Sequence, residues 1–188
     1  MDKRERHSMT PETPRPKSHG KVIAFALLFL VSTVYCAPVT AGYEKTTWGM
    51  PLKSVELLYP GGRRNKEQNG QFSYSIVRPV GGYSTALITF SFSSDSKLVD
   101  VAIVFPKQGT SVDLRRLKMS GTTTKEATAM FNTLASGLTL KYGKPARVSN
   151  PGAIAWELQN KELVFLYITN DEKDPRAASV GIIYQMIP

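Results

Sequence analysis

Two carboxylates stand inside strand-like runs: Asp100 in LVDVAIVF and Glu157 beside Trp156 in AIAWELQ. A pair of acids facing one cleft is the equipment of glycoside hydrolysis, one acting as general acid and the other as base or nucleophile. Used that way, they would make the chain a cell-wall-active hydrolase. An acid in an alternating strand also has a plain reading, as a solvent-face residue between inward neighbours. The other candidate group is cationic: Arg63, Arg64 and Lys66 in GGRRNKEQNG, with Arg115, Arg116 and Lys118 in PKQGTSVDLRRLKMSG. Such clusters attract anionic lipid, cell-wall polymer or an acidic protein, over about 8 Å at physiological salt. Their plain reading is a solvated basic surface.

Other chemistries are poorly provided for. No lysine sits in an apolar run, as a Ser-Lys arrangement with a depressed lysine pKa would require. PGG and VGGY are glycine-rich but lack the strand-loop-helix setting and Lys-Ser/Thr ending of a phosphate loop. NDEKD lacks EF-hand spacing and reads as a turn. His7, His19 and Cys36 all fall within the first 41 residues. If those are removed, no histidine or cysteine is left for a Ser-His triad, a Cys nucleophile, a disulfide or a His/Cys metal site. No cofactor and no metal are expected.

The first 41 residues read as a secretory leader. A basic, proline-broken stretch from Met1 precedes the apolar run VIAFALLFLVSTVY, and VTA then offers small residues before Gly42. Cleavage is expected between Ala41 and Gly42, leaving 42–188 as a single domain, periplasmic or secreted by the general secretory route. The alternatives are an uncleaved inner-membrane signal anchor and lipidation at Cys36. Bulky Tyr35 stands against lipidation, and Pro38 and Thr40 weaken a span that needs roughly 20 apolar residues. The leader holds three of the chain's nine excess positive charges, so the expected domain keeps six. Export makes nucleic acid a poor partner.

Local patterns imply the elements that would position these groups. MPLKSVELLYP predicts a short helix with Leu52, Val55 and Tyr59 on one face. GGRRNKEQNG reads as a polar loop. QFSYSIV, STALITFSF and LVDVAIVF read as strands, the last with Val99, Val101, Ile103 and Phe105 aligned. Thr123 and Glu126 have capping-box spacing, and the face from Ala127 through Met130, Phe131, Leu134 and Leu138 to Tyr142 predicts a long helix stopped by Gly143. AIAWELQ, ELVFLYIT and SVGIIYQMI predict a closing meander. The expected fold is α+β: two αβββ units forming one antiparallel sheet, with both helices on one face and the other face exposed or offered to a partner.

WGMPLKSVELL resembles the opening of many small exported bacterial proteins of uncharacterised function, and LTLKYGKP resembles a helix end found in them. The repeated helix-and-meander plan is similar to the beta-lactamase inhibitory protein and the BamE (SmpA/OmlA) envelope lipoproteins. The resemblance implies binding or assembly, not catalysis, and a secreted inhibitor as one alternative. Unlike BamE, the chain has no convincing lipobox. Trp48 and Gly49 themselves read as structural, a core aromatic and a turn into the helix. The expected function is a non-catalytic interaction module of the cell envelope, binding an envelope protein, anionic lipid or cell-wall polymer through the six cations.

Overall fold

The computed structural model describes residues 42–67, 70–107, 109–115, 120–149, 152–169 and 178–187. Cys36 and Ala41, on which the leader and its junction depend, lie outside them, as do Arg116 and Lys118. The elements run α1 (Leu52–Leu58), β1 (Arg63–Lys66), β2 (Phe72–Val80), β3 (Tyr83–Phe92), β4 (Leu98–Phe105), α2 (Thr124–Tyr142), β5 (Arg147–Ser149), β6 (Ala153–Glu157), β7 (Glu162–Thr169) and β8 (Ser179–Met186). The fold is α+β. All eight strands join one sheet in the order β1-β2-β3-β4-β8-β7-β6-β5, every neighbouring pair antiparallel.

Two strands exceed expectation. Arg63–Lys66, read from sequence as loop, pairs with Phe72–Ser75, and Arg147–Ser149 pairs with Ala153–Ala155. Both are short outer strands whose side chains are largely exposed. Backbone pairing forms them, and no buried side chain is needed to mark an alternation. Because β1 extends only to Ser75, β2 beyond that point is itself an edge. That is where a strand can accept Pro79, which has no N–H to donate. A second correction concerns Val99. Register shifts between Ser91 and Phe92 on β3, so Asp100 faces Ser91 while Leu98 faces Phe92. Leu98 is buried and Val99 is left exposed.

The core follows the pleat. Ile76, Ile88, Ile103, Ile182, Leu166 and Ile154 are successive partners in one row across the sheet. Tyr74, Phe90, Val101, Tyr184, Val164 and Trp156 form the next row on the same face. The Tyr59 ring, just past α1, lies 5.0 Å from Phe90, and the Tyr74 hydroxyl donates to the Tyr59 carbonyl at 2.6 Å. At the end of α2, Trp156 Nε1 donates to the Gly143 carbonyl at 3.1 Å. The capping box is present: Thr123 Oγ1 accepts from the Glu126 N–H while the Glu126 carboxylate accepts from the Thr123 N–H. Ala127, Met130 and Leu138 of α2 are buried, whereas Phe131 and Leu134 are only partly so.

Trp48-Gly49-Met50 begins the fold much as a strand would. Gly49, at φ 78°, donates its N–H to the Leu98 carbonyl, and Leu98 returns a bond to the Met50 carbonyl. This positive φ suits glycine. Trp48 packs partly buried against the core.

Candidate functional site

Side chains alternate across a strand, so the residues between the core rows face the opposite side of the sheet. One row there reads Ser75, Thr89, Ala102, Ile183, Phe165, Ala155 and Arg147. The next reads Ser73, Ser91, Asp100, Gln185, Leu163 and Glu157. In these two rows the second face is polar on β2–β3 and apolar on β6–β8, while a further row of the same face, Val77, Leu87 and Val104, is apolar on β2–β4. Ser75 Oγ and Thr89 Oγ1 lie 3.1 Å apart, and Ser91 Oγ donates to Asp100 Oδ1, also at 3.1 Å. On the apolar side the Phe165 and Tyr167 rings stack at 6.0 Å. Tyr167 also lies across its register partner Gly181, in the space a β-carbon there would need.

A cavity of about 370 Å³ opens beside these rings. Ala155, Leu163, Phe165 and Ile187 give its apolar lining, while Arg147, Glu157 and Gln185 give its polar groups. That volume falls within the range of small-ligand sites. Arg147 and Glu157 approach only to 3.7 Å, with the arginine side chain 82% exposed and the glutamate 48%. The contact is an ion pair too long to be a hydrogen bond.

Asp100 and Glu157 share this face but not a cleft. Gln185 and Leu163 stand between them in the row. Three strand spacings put their backbones about 14 Å apart. Paired glycosidase carboxyls sit about 5–9.5 Å apart. Burial raises the Asp100 pKa, and the Ser91 hydroxyl bonded to it pulls the other way. Glu162, at the head of β7, is the acid the sequence reading passed over. It is 2% exposed, faces the core rows and accepts from Asn160 Nδ2 at 3.2 Å. Burial raises its pKa too, against the counter-pull of Asn160 and Lys141.

The expected cations are only partly brought together. Arg64 holds the Glu56 carboxylate of α1 at 2.7 Å, so it is neutralised locally. Arg63 alternates to the other side of β1 and reaches the Leu114 carbonyl at 3.5 Å, the residue before Arg115. The two basic segments therefore meet at β1 through Arg63 and the Leu114 backbone. Lys66 is exposed on the same strand as Arg64. The apolar second face was missed, although β7 carried a signal for it. In ELVFLYIT, Leu163, Phe165 and Tyr167 are as apolar as Val164, Leu166 and Ile168. A strand apolar at both parities has something to cover on each face.

Among the described residues, no group of three or more His, Cys, Asp or Glu residues could hold a metal ion. No family model, curated protein or solved structure matches the chain.

Proposed function

We propose that the chain is an exported, non-catalytic interaction module of the cell envelope that binds through its second sheet face. The observation carrying this reading is the cavity beside Phe165, set in a run of partly exposed apolar side chains on β7 and β8. Contacts of Tyr59, just past α1, with Phe90 and of Gly143, just past α2, with Trp156 favour both helices covering the core face, which leaves the partly exposed β6–β8 half of the second face to a partner. The distance between Asp100 and Glu157 weighs against a paired-carboxylate hydrolase.

Export rests on the leader pattern of residues 1–41. Two local features agree with cleavage after Ala41. Tyr43 is already 6% exposed, so a later cut would remove a core residue. Gly42 stands against the Thr46 carbonyl with no room for a β-carbon, so it is already closely packed in the fold. No helix among the described residues is long and apolar enough to cross a membrane. The WGM-type opening agrees with the envelope assignment.

The basic cluster at β1 is the competing surface, and one experiment separates the two. The full chain is compared with an Arg63→Glu/Arg115→Glu variant and a Leu163→Ser/Phe165→Ser variant for retention on envelope protein, anionic vesicles and cell-wall polymer across a salt series. Loss only in the Leu163/Phe165 variant, with weak salt dependence, is the expected result. Loss only in the charge-reversal variant, with retention of the unsubstituted chain falling as salt rises, would move the function to the basic edge.

A further inference from the structure

The lining of the cavity is specific enough to choose a ligand chemistry, given that the second face is the binding surface. We propose that it is a binding site for an aliphatic carboxylate, with the chain on Ala155, Leu163, Phe165 and Ile187 and the carboxylate on Arg147. An apolar floor gains from covering a hydrocarbon, because removing both from water is favourable in proportion to the area hidden. The sign of the head group follows from the two charges at the cavity. Arg147 is the more exposed partner, and its 3.7 Å approach to Glu157 leaves its planar set of N–H donors without a short bond to that carboxylate. A guanidinium suits a carboxylate in two-point geometry. An incoming carboxylate can therefore take a better position than Glu157 now holds, and the Gln185 amide adds a further donor at the same cavity. A cationic head group would have only Glu157, already facing Arg147. Two positively charged neighbours would then oppose each other. The six excess positive charges of residues 42–188 act in the same direction, favouring an anion.

The test is a titration of the full chain with decanoate, decanol and decylammonium, followed through the NMR signals of Leu163, Phe165 and Ile187. Decanoate should bind about fivefold more tightly than decanol, the advantage expected of a charge pair at a solvent-exposed rim. Decylammonium should bind most weakly. Arg147→Gln, an exposed position whose change leaves the core untouched, should bring decanoate down to decanol or below it. Glu157→Gln should strengthen decanoate alone. Equal binding of decanoate and decanol by the unsubstituted chain, or an advantage that survives Arg147→Gln, would overturn the carboxylate assignment while keeping the second face as a binding surface. Tightest binding by decylammonium would overturn it too. If none of the three probes shifts those signals, the cavity is no ligand site, and the second-face reading loses the observation that carries it.

Discussion

In two rows of the second face, β2 and β3 present hydroxyls where β6–β8 present rings and branched chains. Ser75, Thr89 and Ser91 stand in the same two rows as Phe165 and Leu163. On the core face the halves do not diverge: Tyr74 and Phe90 correspond in the row to Val164 and Trp156, all buried. The contrast teaches where each kind of constraint acts. Burial in the core demands apolar residues from both halves equally. On the second face the halves part: Ser73, Ser75 and Leu87 are buried on β2 and β3, whereas Leu163, Phe165 and Tyr167 on β7 stay partly exposed. One half settles its polar groups internally, Ser75 with Thr89 and Ser91 with Asp100. The other keeps partly exposed apolar area, which costs solubility and is informative for that reason.

The largest test of this contrast compares two phenylalanines. Phe90, fully buried, should lose about 3–5 kcal/mol on substitution by Ala in urea unfolding. Phe165→Ala should lose less than about 2 kcal/mol, because its ring is only partly removed from water. Equal losses would mean that the second face is core as well. Next comes Gly181→Ala. A β-carbon there would run into the Tyr167 ring and should cost about 1–3 kcal/mol. In a Tyr167→Ala background that cost should largely vanish, so a double-mutant cycle would show strong coupling. Additive costs would separate the glycine from the ring. In the polar half, Thr89→Val strips the buried Ser75 hydroxyl of its partner, at about 1 kcal/mol. Ser75→Ala in that background should then cost almost nothing more, and a full second loss would deny that the two hydroxyls act as a pair.

The smallest effect is a pH slope from Asp100. Burial places its folded pKa above its unfolded value, so the fold holds a proton that the unfolded chain has already released. The stability it contributes is present below the unfolded value and is lost as pH rises through the folded one. Asp100→Asn should remove that slope and change stability near neutrality by less than about 1 kcal/mol. Glu126 supplies a slope of opposite sign. Chiefly the Thr122 and Thr123 hydroxyls, with the Thr123 N–H, hold its pKa near 2, so its contribution is lost as pH falls from the usual carboxylate range towards 2. Glu126→Gln should flatten the acid side and leave the Asp100 slope in place. An unchanged profile in Asp100→Asn would show that its carboxyl titrates alike in the folded and unfolded chain.

How much of this the sequence disclosed depends on whether side chains or backbone define each element. The bounds of α2 were legible because Thr123, Glu126 and Gly143 mark its ends chemically and the apolar spacing fills its interior. LVDVAIVF and ELVFLYIT coincide with β4 and β7 because buried alternate residues mark them. β1 and β5 were illegible as strands, since their exposed side chains carry no record of the backbone bonds that make them. The bulge between Ser91 and Phe92 was hidden as well. It turned the expected inward row at Val99 outward, a consequence of pairing with β3 that β4 alone does not encode. The candidate cavity draws on β5, β6, β7 and β8, so only the assembled register brings Arg147 near Gln185. The cations were visible by composition, but their sides of β1, and the neutralisation of Arg64, depended on a strand not yet recognised.

The ends of this sheet bear on how copies of the chain meet at high concentration. An outer strand offers unpaired backbone groups to any similar strand, and that is how sheets lengthen into fibres. Here β1 sets Arg63 and Lys66 along its edge, in addition to the neutralised Arg64. Two molecules approaching β1 to β1 would bring like charges opposite each other, which disfavours pairing. At the far end β5 offers three residues, too short a template to propagate. Edge-to-edge growth is thus resisted along β1 by repulsion, on the β2 edge beyond Ser75 by Pro79, which has no N–H to offer, and along β5 by brevity.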